Sequence, residues 1–130
     1  MTTLETRLEI KSWDEKPYRE LPDGTKYARA EVSLAGTDEL TDGAFESLLY
    51  YRGDGTGTYV VLMSLTGTLG GRTGSIVLAG EGTYDGTTAA MTARVIEATG
   101  ELAGLTGTVT STSTHADYPW MPIVLTYELG

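Results

Sequence analysis

The 130-residue chain contains no cysteine. That excludes disulfides, thiolate metal sites and cysteine nucleophiles, and a reducing compartment would do the fold no harm. Asparagine and glutamine are missing too, so no side-chain amide can polarise a carbonyl or carry a glycan. There is one histidine, His115. Zinc sites normally draw on two or more His or Cys ligands, so no metal is expected. Basic residues are scarce: nine Lys and Arg face eighteen Asp and Glu, a net charge of −9. With no Lys/Arg cluster, such a surface repels phosphate backbones and anionic headgroups, and neither nucleic acid nor membrane is an expected partner. Long apolar runs are absent as well. The densest, from Tyr59 to Met63, is far too short to span a bilayer. Residues 1–12 alternate charged and apolar side chains, unlike a secretory signal. A cytoplasmic protein is therefore expected.

Glycine is plentiful, at 17 residues, and threonine is abundant. Both point away from helix. Period-2 alternation recurs along the chain. Leu4, Thr6, Leu8 and Ile10 alternate with Glu5, Arg7, Glu9 and Lys11. Ala28, Ala30, Val32 and Leu34 alternate with Tyr27, Arg29, Glu31 and Ser33. Further strands are expected at 44–51, 56–65, 75–84, 88–97, 107–114 and 122–128. Pro22-Asp23-Gly24, Arg52-Gly53-Asp54-Gly55 and Tyr84-Asp85-Gly86 read as turns. The expectation is an all-β fold in one domain over 1–130: an antiparallel, eight-stranded β-barrel, which removes sheet edges and encloses either packed side chains or one small ligand. Residues 35–45 are the exception. There Asp38-Glu39-Leu40 and Asp42 suit a short helix or a long loop.

One internal repeat stands out. Thr66-Gly67-Thr68-Leu69-Gly70-Gly71-Arg72-Thr73-Gly74 matches Thr99-Gly100-Glu101-Leu102-Ala103-Gly104-Leu105-Thr106-Gly107, and it reads as two equivalent corners rather than a ligand motif. The stretches at 53–57 and 80–85 lack the third glycine of a dinucleotide fingerprint, and no phosphate-binding loop occurs. No cofactor is expected.

Chemistry must then come from a short inventory. His115 lies beside Asp117 and could act as a general base, but no partner nucleophile stands out, and an exposed loop histidine is the stronger reading. Tyr118 and Trp120, framed by Pro119 and Pro122, either cap a mouth or plug one end of the core. Glu46, Glu81 and Glu97 sit on expected strands, and any that pointed inward would have a raised pKa and acid–base potential. Tyr50, Tyr51, Tyr59, Met63, Tyr84, Met91 and Tyr127 are also on strands. Parity puts Tyr59, Val61, Met63 and Leu65 on one face, and Ile123, Leu125, Tyr127 and Leu129 on one face of the last strand. Turned inward, they would form an adaptable apolar lining with hydroxyl handles, or an ordinary dry core.

Three segments carry a resemblance: Ile10-Lys11-Ser12-Trp13-Asp14-Glu15, residues 67–75 and residues 98–107. They resemble a family of short bacterial proteins of unknown function whose fold is similar to the allene oxide cyclase (calycin-like) β-barrel. The 98–107 stretch also resembles a strand turn of bacterial spirotetronate cyclases. The resemblance implies a cofactor-free apolar barrel that folds a flexible polyene or epoxide and closes a ring. It places Tyr59 near a pocket tyrosine of those cyclases. Their pocket tryptophan has no counterpart at 108–114, which holds only Thr, Ser and Val; Trp120 follows slightly later. Three functions are thus in view. The first is a cofactor-independent cyclase or isomerase of a polyketide-like molecule, with Tyr59 as its catalytic group. The second is a carrier that binds a small apolar ligand unchanged. The third is a filled barrel serving as a homo-oligomer scaffold. The substrate-lining residues expected for the first two are Met63, Tyr50, Met91, Trp120, Tyr127 and His115.

Overall fold

Alternation along each strand decides what the sheet encloses. In the computed structural model, which describes residues 1–36 and 39–130, eight strands follow one another. They are β1 (Thr2–Glu20), β2 (Lys26–Ala35), β3 (Leu40–Tyr51), β4 (Gly57–Leu69), β5 (Arg72–Tyr84), β6 (Thr88–Gly100), β7 (Thr106–Thr114) and β8 (Trp120–Glu128). Each pairs antiparallel with the next, and β1 also pairs with β8, so the sheet closes into a ring. The described residues contain no α-helix, only a 3-10 turn at His115–Asp117. No helix among them is long and apolar enough to cross a membrane.

On β4, Val61, Met63, Leu65 and Leu69 are buried while Val60 and Leu62 face out. The inner faces of all eight strands contribute to one core. The described residues of the 35–45 segment form neither the helix nor the long loop expected there. β2 runs to Ala35 and β3 starts at Leu40, with Leu34 opposite Gly43 and Val32 opposite Phe45. The ladder bonds and the burial of Leu40 and Phe45 outweigh the local turn signal. Asp42 caps no helix; its carboxylate accepts from the Gly43 N–H at 2.9 Å. Asp38, part of that expectation, lies outside the described residues.

The two ends of the ring differ. One is closed by the repeated corners, which link β4 to β5 and β6 to β7. They are bonded to each other: the Thr73 N–H donates to Glu101 Oε1 at 3.0 Å, and the Glu101 N–H donates to the Thr73 carbonyl at 2.9 Å. Leu69, Leu102 and Leu105 point in from them and, with Leu40, are almost fully buried. Each stabilises the plug by about 2 kcal/mol relative to exposure.

The other end carries a triplet not singled out in the sequence. Asp-Gly-Thr occurs at 23–25, 54–56 and 85–87, in the three hairpin turns of this end. The glycines take φ of 90°, 89° and 104°, a region other residues rarely enter. Each aspartate accepts from the N–H and hydroxyl of the threonine two residues on, at 2.7 to 3.1 Å. These bonds hold all three carboxyls below the usual carboxylate range.

Gly80 marks a close approach of β5 to β6. A Cβ there would collide with the Thr92 carbonyl oxygen and the Ala93 backbone, neither of which can yield without parting the strands. Gly80→Ala is expected to cost about 1–3 kcal/mol, read as a lower urea midpoint at unchanged slope. A wild-type midpoint would refute this tight packing.

Candidate functional site

The inner side chains form rows across the strands. Val32, Phe45, Met63 and Leu78 stand opposite one another through the pairings of β2 to β5, and they fill the ring. One row nearer the open end come Ala30, Ser47, Val61, Gly80, Ala93 and Val109. These are small residues, and they leave space. Above the large row opens a cavity of about 640 Å³, within the range of small-molecule sites.

Its walls are largely apolar, with Ile10, Phe45, Leu49, Met91 and Met121 among the lining residues. Tyr59 also lines it. Its ring lies across Gly82, where a Cβ would clash with it, so this glycine makes the room for the phenol. Burial pushes the Tyr59 phenol pKa up.

The polar wall comes from β1. The pairing of β1 with β2 shifts register between Ile10 and Ser12. Beyond this bulge Trp13 stands opposite inward-facing Val32, and Glu15 opposite Ala30, so both join the inner side. Trp13 packs edge-on against Phe45, with ring centroids 5.9 Å apart. Its Nε1–H donates to Glu15 Oε1 at 3.1 Å. The other Glu15 oxygen, Oε2, accepts from the Tyr51 hydroxyl at 2.7 Å. Tyr51 is held protonated far above the usual phenol range, first by burial and then by the bond to, and charge of, Glu15. The Lys26 ammonium sits over the Tyr51 ring, 5.1 Å from its centre.

Opposite, the Tyr84 hydroxyl donates to the Gly86 carbonyl at 2.8 Å and meets His115 Nε2 at 2.7 Å. That leaves the hydroxyl oxygen to accept from an Nε2–H tautomer.

The residues expected as a site from the sequence divide into two groups. Tyr59, Met91, Trp120 and His115 all line the cavity. Trp120 stands at its rim with the Arg7 guanidinium 4.1 Å over its ring. Met63 is 1% exposed and belongs to the large row that forms the floor. Tyr127 is buried opposite Gly107 and Thr2, at the plugged end. Tyr50 turns to the outer face, packed 5.1 Å from Tyr27. Glu46, Glu81 and Glu97 are all exposed, and Glu46 bonds Arg29 across the outer face.

Trp13, Glu15 and Ser47 line the cavity without having been expected there, and Tyr51 and Tyr84, named only among the strand residues that could turn inward, line it too. For Tyr51 a signal existed, since it shares parity with Leu49 once β3 is known to be in phase with β4. For Glu15 none did, because the bulge reverses the parity. Among the described residues no group of three or more His, Asp or Glu is arranged to hold a metal.

A family model described as protein of unknown function (DUF3224) matches residues 5–123. The chain is similar to a crystal structure of a protein of unknown function from the same family, from Shewanella oneidensis MR-1. The two share 22% identity and a TM-score of 0.77, over 100% of this chain and 98% of that one. At this identity the likeness carries the fold. No curated protein matches the chain.

Tyr51 and Tyr59 both hold their protons more tightly in the folded chain than in an unfolded one. A raised folded pKa gives stability that is full below the unfolded value of about 10 and is lost as pH climbs past it. Stability is therefore expected to fall steadily from about pH 10 to about pH 12, and to fall less steeply in Tyr51→Phe. Urea unfolding across that range checks it; equal steepness would show that Tyr51 does not carry the effect.

Proposed function

We propose that this chain, which belongs to the DUF3224 family of proteins of unknown function, binds a small apolar molecule inside a barrel of the allene oxide cyclase, calycin-like type. The observation that carries the reading is the half-filled interior. Large residues pack one end solid, while small ones leave a cavity of about 640 Å³ with mainly apolar walls at the other. A sheet serving only as a scaffold would gain stability by filling that space, since unfilled apolar volume costs stability in proportion to its size. The Met91 and Met121 side chains give the lining some adaptability.

A second reading, a cofactor-independent cyclase or isomerase of a polyketide-like molecule, is favoured by one further observation. Glu15 and Tyr51 place a carboxylate and a protonated phenol side by side on the cavity wall. In an isomerisation the carboxylate would take a proton from carbon next to a carbonyl. The phenol would turn its one O–H from Glu15 to the developing enolate oxygen, and the carboxylate would return the same proton at another carbon. Nothing is consumed and no cofactor is needed. For ring closure, confinement of a flexible chain supplies proximity and orientation. In this scheme Tyr59, which has no charged partner among the described residues, shapes the substrate, and Trp120 bounds it at the rim.

The binding reading is tested with 1-N-phenylnaphthylamine, a neutral apolar fluorophore. Saturable one-site binding with Kd of about 1–10 µM is expected. Met91→Trp, which fills the cavity, is expected to abolish it while the far-UV circular dichroism spectrum stays β. A wild-type protein that binds no fluorophore, or a filled variant that binds as well, would overturn the reading. For the catalytic reading, Glu15→Gln is expected to lower conversion of a β,γ-unsaturated ketone to its conjugated isomer about a hundredfold or more. Its fluorophore affinity should stay within about twofold of wild type.

A further inference from the structure

Among the described residues the interior buries two polar side chains, Ser47 and Ser111. Both line the cavity. They are not equivalent. The Ser111 hydroxyl donates to the Pro122 carbonyl at 2.6 Å, so its hydrogen is used within the fold. Ser47 is 4% exposed, and its Oγ has no hydrogen-bond partner. Its neighbours explain why: across β2 it faces Ala30 and across β4 it faces Val61, neither of which carries a polar side-chain atom. Along β3 the next inward residues are Phe45 and Leu49. A buried hydroxyl without a partner is destabilising, and native interiors rarely keep one that has no use. Alanine, one atom smaller, would fit the same place.

The hydroxyl sits in the row of small residues just above the floor. A purely hydrocarbon ligand that displaced solvent from there would strand it, and would bind more weakly for doing so. A ligand oxygen at that depth would pair with it.

Charge narrows the class. The three Asp-Gly-Thr turns surround the open end with exposed carboxylates, and the threonine bonds keep them ionised. On the cavity wall, Glu15 and Lys26 supply one charge of each sign. The chain as a whole carries −9. An anion would meet this field on approach. A cation would be drawn to the rim, but the one carboxylate in register with Ala30 and Ser47, Glu15, already accepts from Trp13 and Tyr51 through its two oxygens, and burying a charge without a free partner is costly.

We propose that the cavity selects a neutral apolar ligand bearing a hydroxyl or carbonyl oxygen on its leading end, and that Ser47 Oγ is the group that binds this oxygen. The proposal rests on the binding reading above and adds the ligand's polarity and orientation to it.

The test is displacement of 1-N-phenylnaphthylamine by four molecules of one shape: naphthalene, 2-naphthol, 2-acetylnaphthalene and 2-naphthoate. Wild-type protein is expected to prefer 2-naphthol and 2-acetylnaphthalene to naphthalene by about 3- to 10-fold, the worth of one neutral hydrogen bond. It should bind 2-naphthoate most weakly. Ser47→Ala is expected to bind naphthalene more tightly than wild type does, because no hydroxyl is stranded, and to lose the preference. Its thermal midpoint should be equal to or above wild type, because the substitution removes an unpaired hydroxyl. Three results would overturn the proposal while leaving the binding reading intact: equal affinity of wild type for naphthalene and its oxygenated relatives, a preference that survives in Ser47→Ala, or tightest binding of the carboxylate. Failure of wild type to bind the fluorophore and all four molecules would overturn both.

Discussion

The register shift between Ile10 and Ser12 is the constraint on which the rest of the cavity depends. Below it, β1 pairs with β8 on one side, from Thr2 to Glu9. Above it, β1 leaves β8 and keeps only β2 as a partner, out to Glu20. One extra residue therefore reverses which side chains face in, bringing Trp13 and Glu15 to the interior. Past it, the ladder between β1 and β8 ends, so that this stretch of β1 has a strand partner on one side only. A single backbone bond, from the Ile10 N–H to the Pro119 carbonyl at 2.7 Å, ties β1 to the residue before β8 where the ladder ends. Bulges commonly sit beside sites for this reason: they re-aim a side chain while the ladder holds on either side.

Much of the fold was legible in the sequence because a closed antiparallel sheet obeys a period of two. Val61, Met63 and Leu65 point in, as their parity requires, and so do Ile123, Leu125 and Tyr127, whereas Leu129, of the same parity, lies past the end of β8 and is exposed. The repeated glycine corners were recognisable because a strand reversal needs such residues wherever it occurs. The site was less legible, for two physical reasons. Parity is propagated from a starting point, and a bulge resets it without leaving a sequence mark; Lys11 and Ser12 look like any exposed strand pair. Depth along the strand is the second reason. Met63, Tyr127 and Met91 are equally inward and equally apolar by pattern. Which of them lines a space depends on the sizes of the residues opposite, and that requires the register of several strands at once. Tyr50 shows the same limit. Adjacent tyrosines at 50 and 51 must face opposite ways, and only the pairing with β4 shows that Tyr51 is the inner one.

Cavity and stability are coupled through these rows. The large row of Val32, Phe45, Met63 and Leu78 and the plug of Leu40, Leu69, Leu102 and Leu105 supply the burial that holds the ring closed. With that end packed solid, the small row above can stay loose without loss of the fold. Trp13 bridges the two halves. Its ring is packed against Phe45 of the floor, while its Nε1–H fixes the Glu15 carboxylate that in turn holds Tyr51. A polar wall is thus anchored on the apolar core rather than on loops, and a rigid core positions side chains better than a surface connection does.

The mouth follows the same economy of parts. Three of its four connections are the Asp-Gly-Thr turns, each locked by one carboxylate that satisfies a backbone N–H and a hydroxyl at once. Locking the turns with an acid rather than a neutral residue has a consequence for what can pass. The groups that fix the shape of the rim also set its sign, so the opening is rigid and negative for one and the same reason. The fourth connection, from β7 to β8, also uses an aspartate: Asp117 accepts from the Thr114 N–H and hydroxyl at 3.1 Å. There, however, the loop adds the His115–Tyr84 contact across to β5 and carries Tyr118 and Trp120 to the lip of the cavity. The side of the ring where the β1–β8 ladder ends is therefore the side where aromatic surface replaces missing ladder. An apolar molecule meets its first matching surface there.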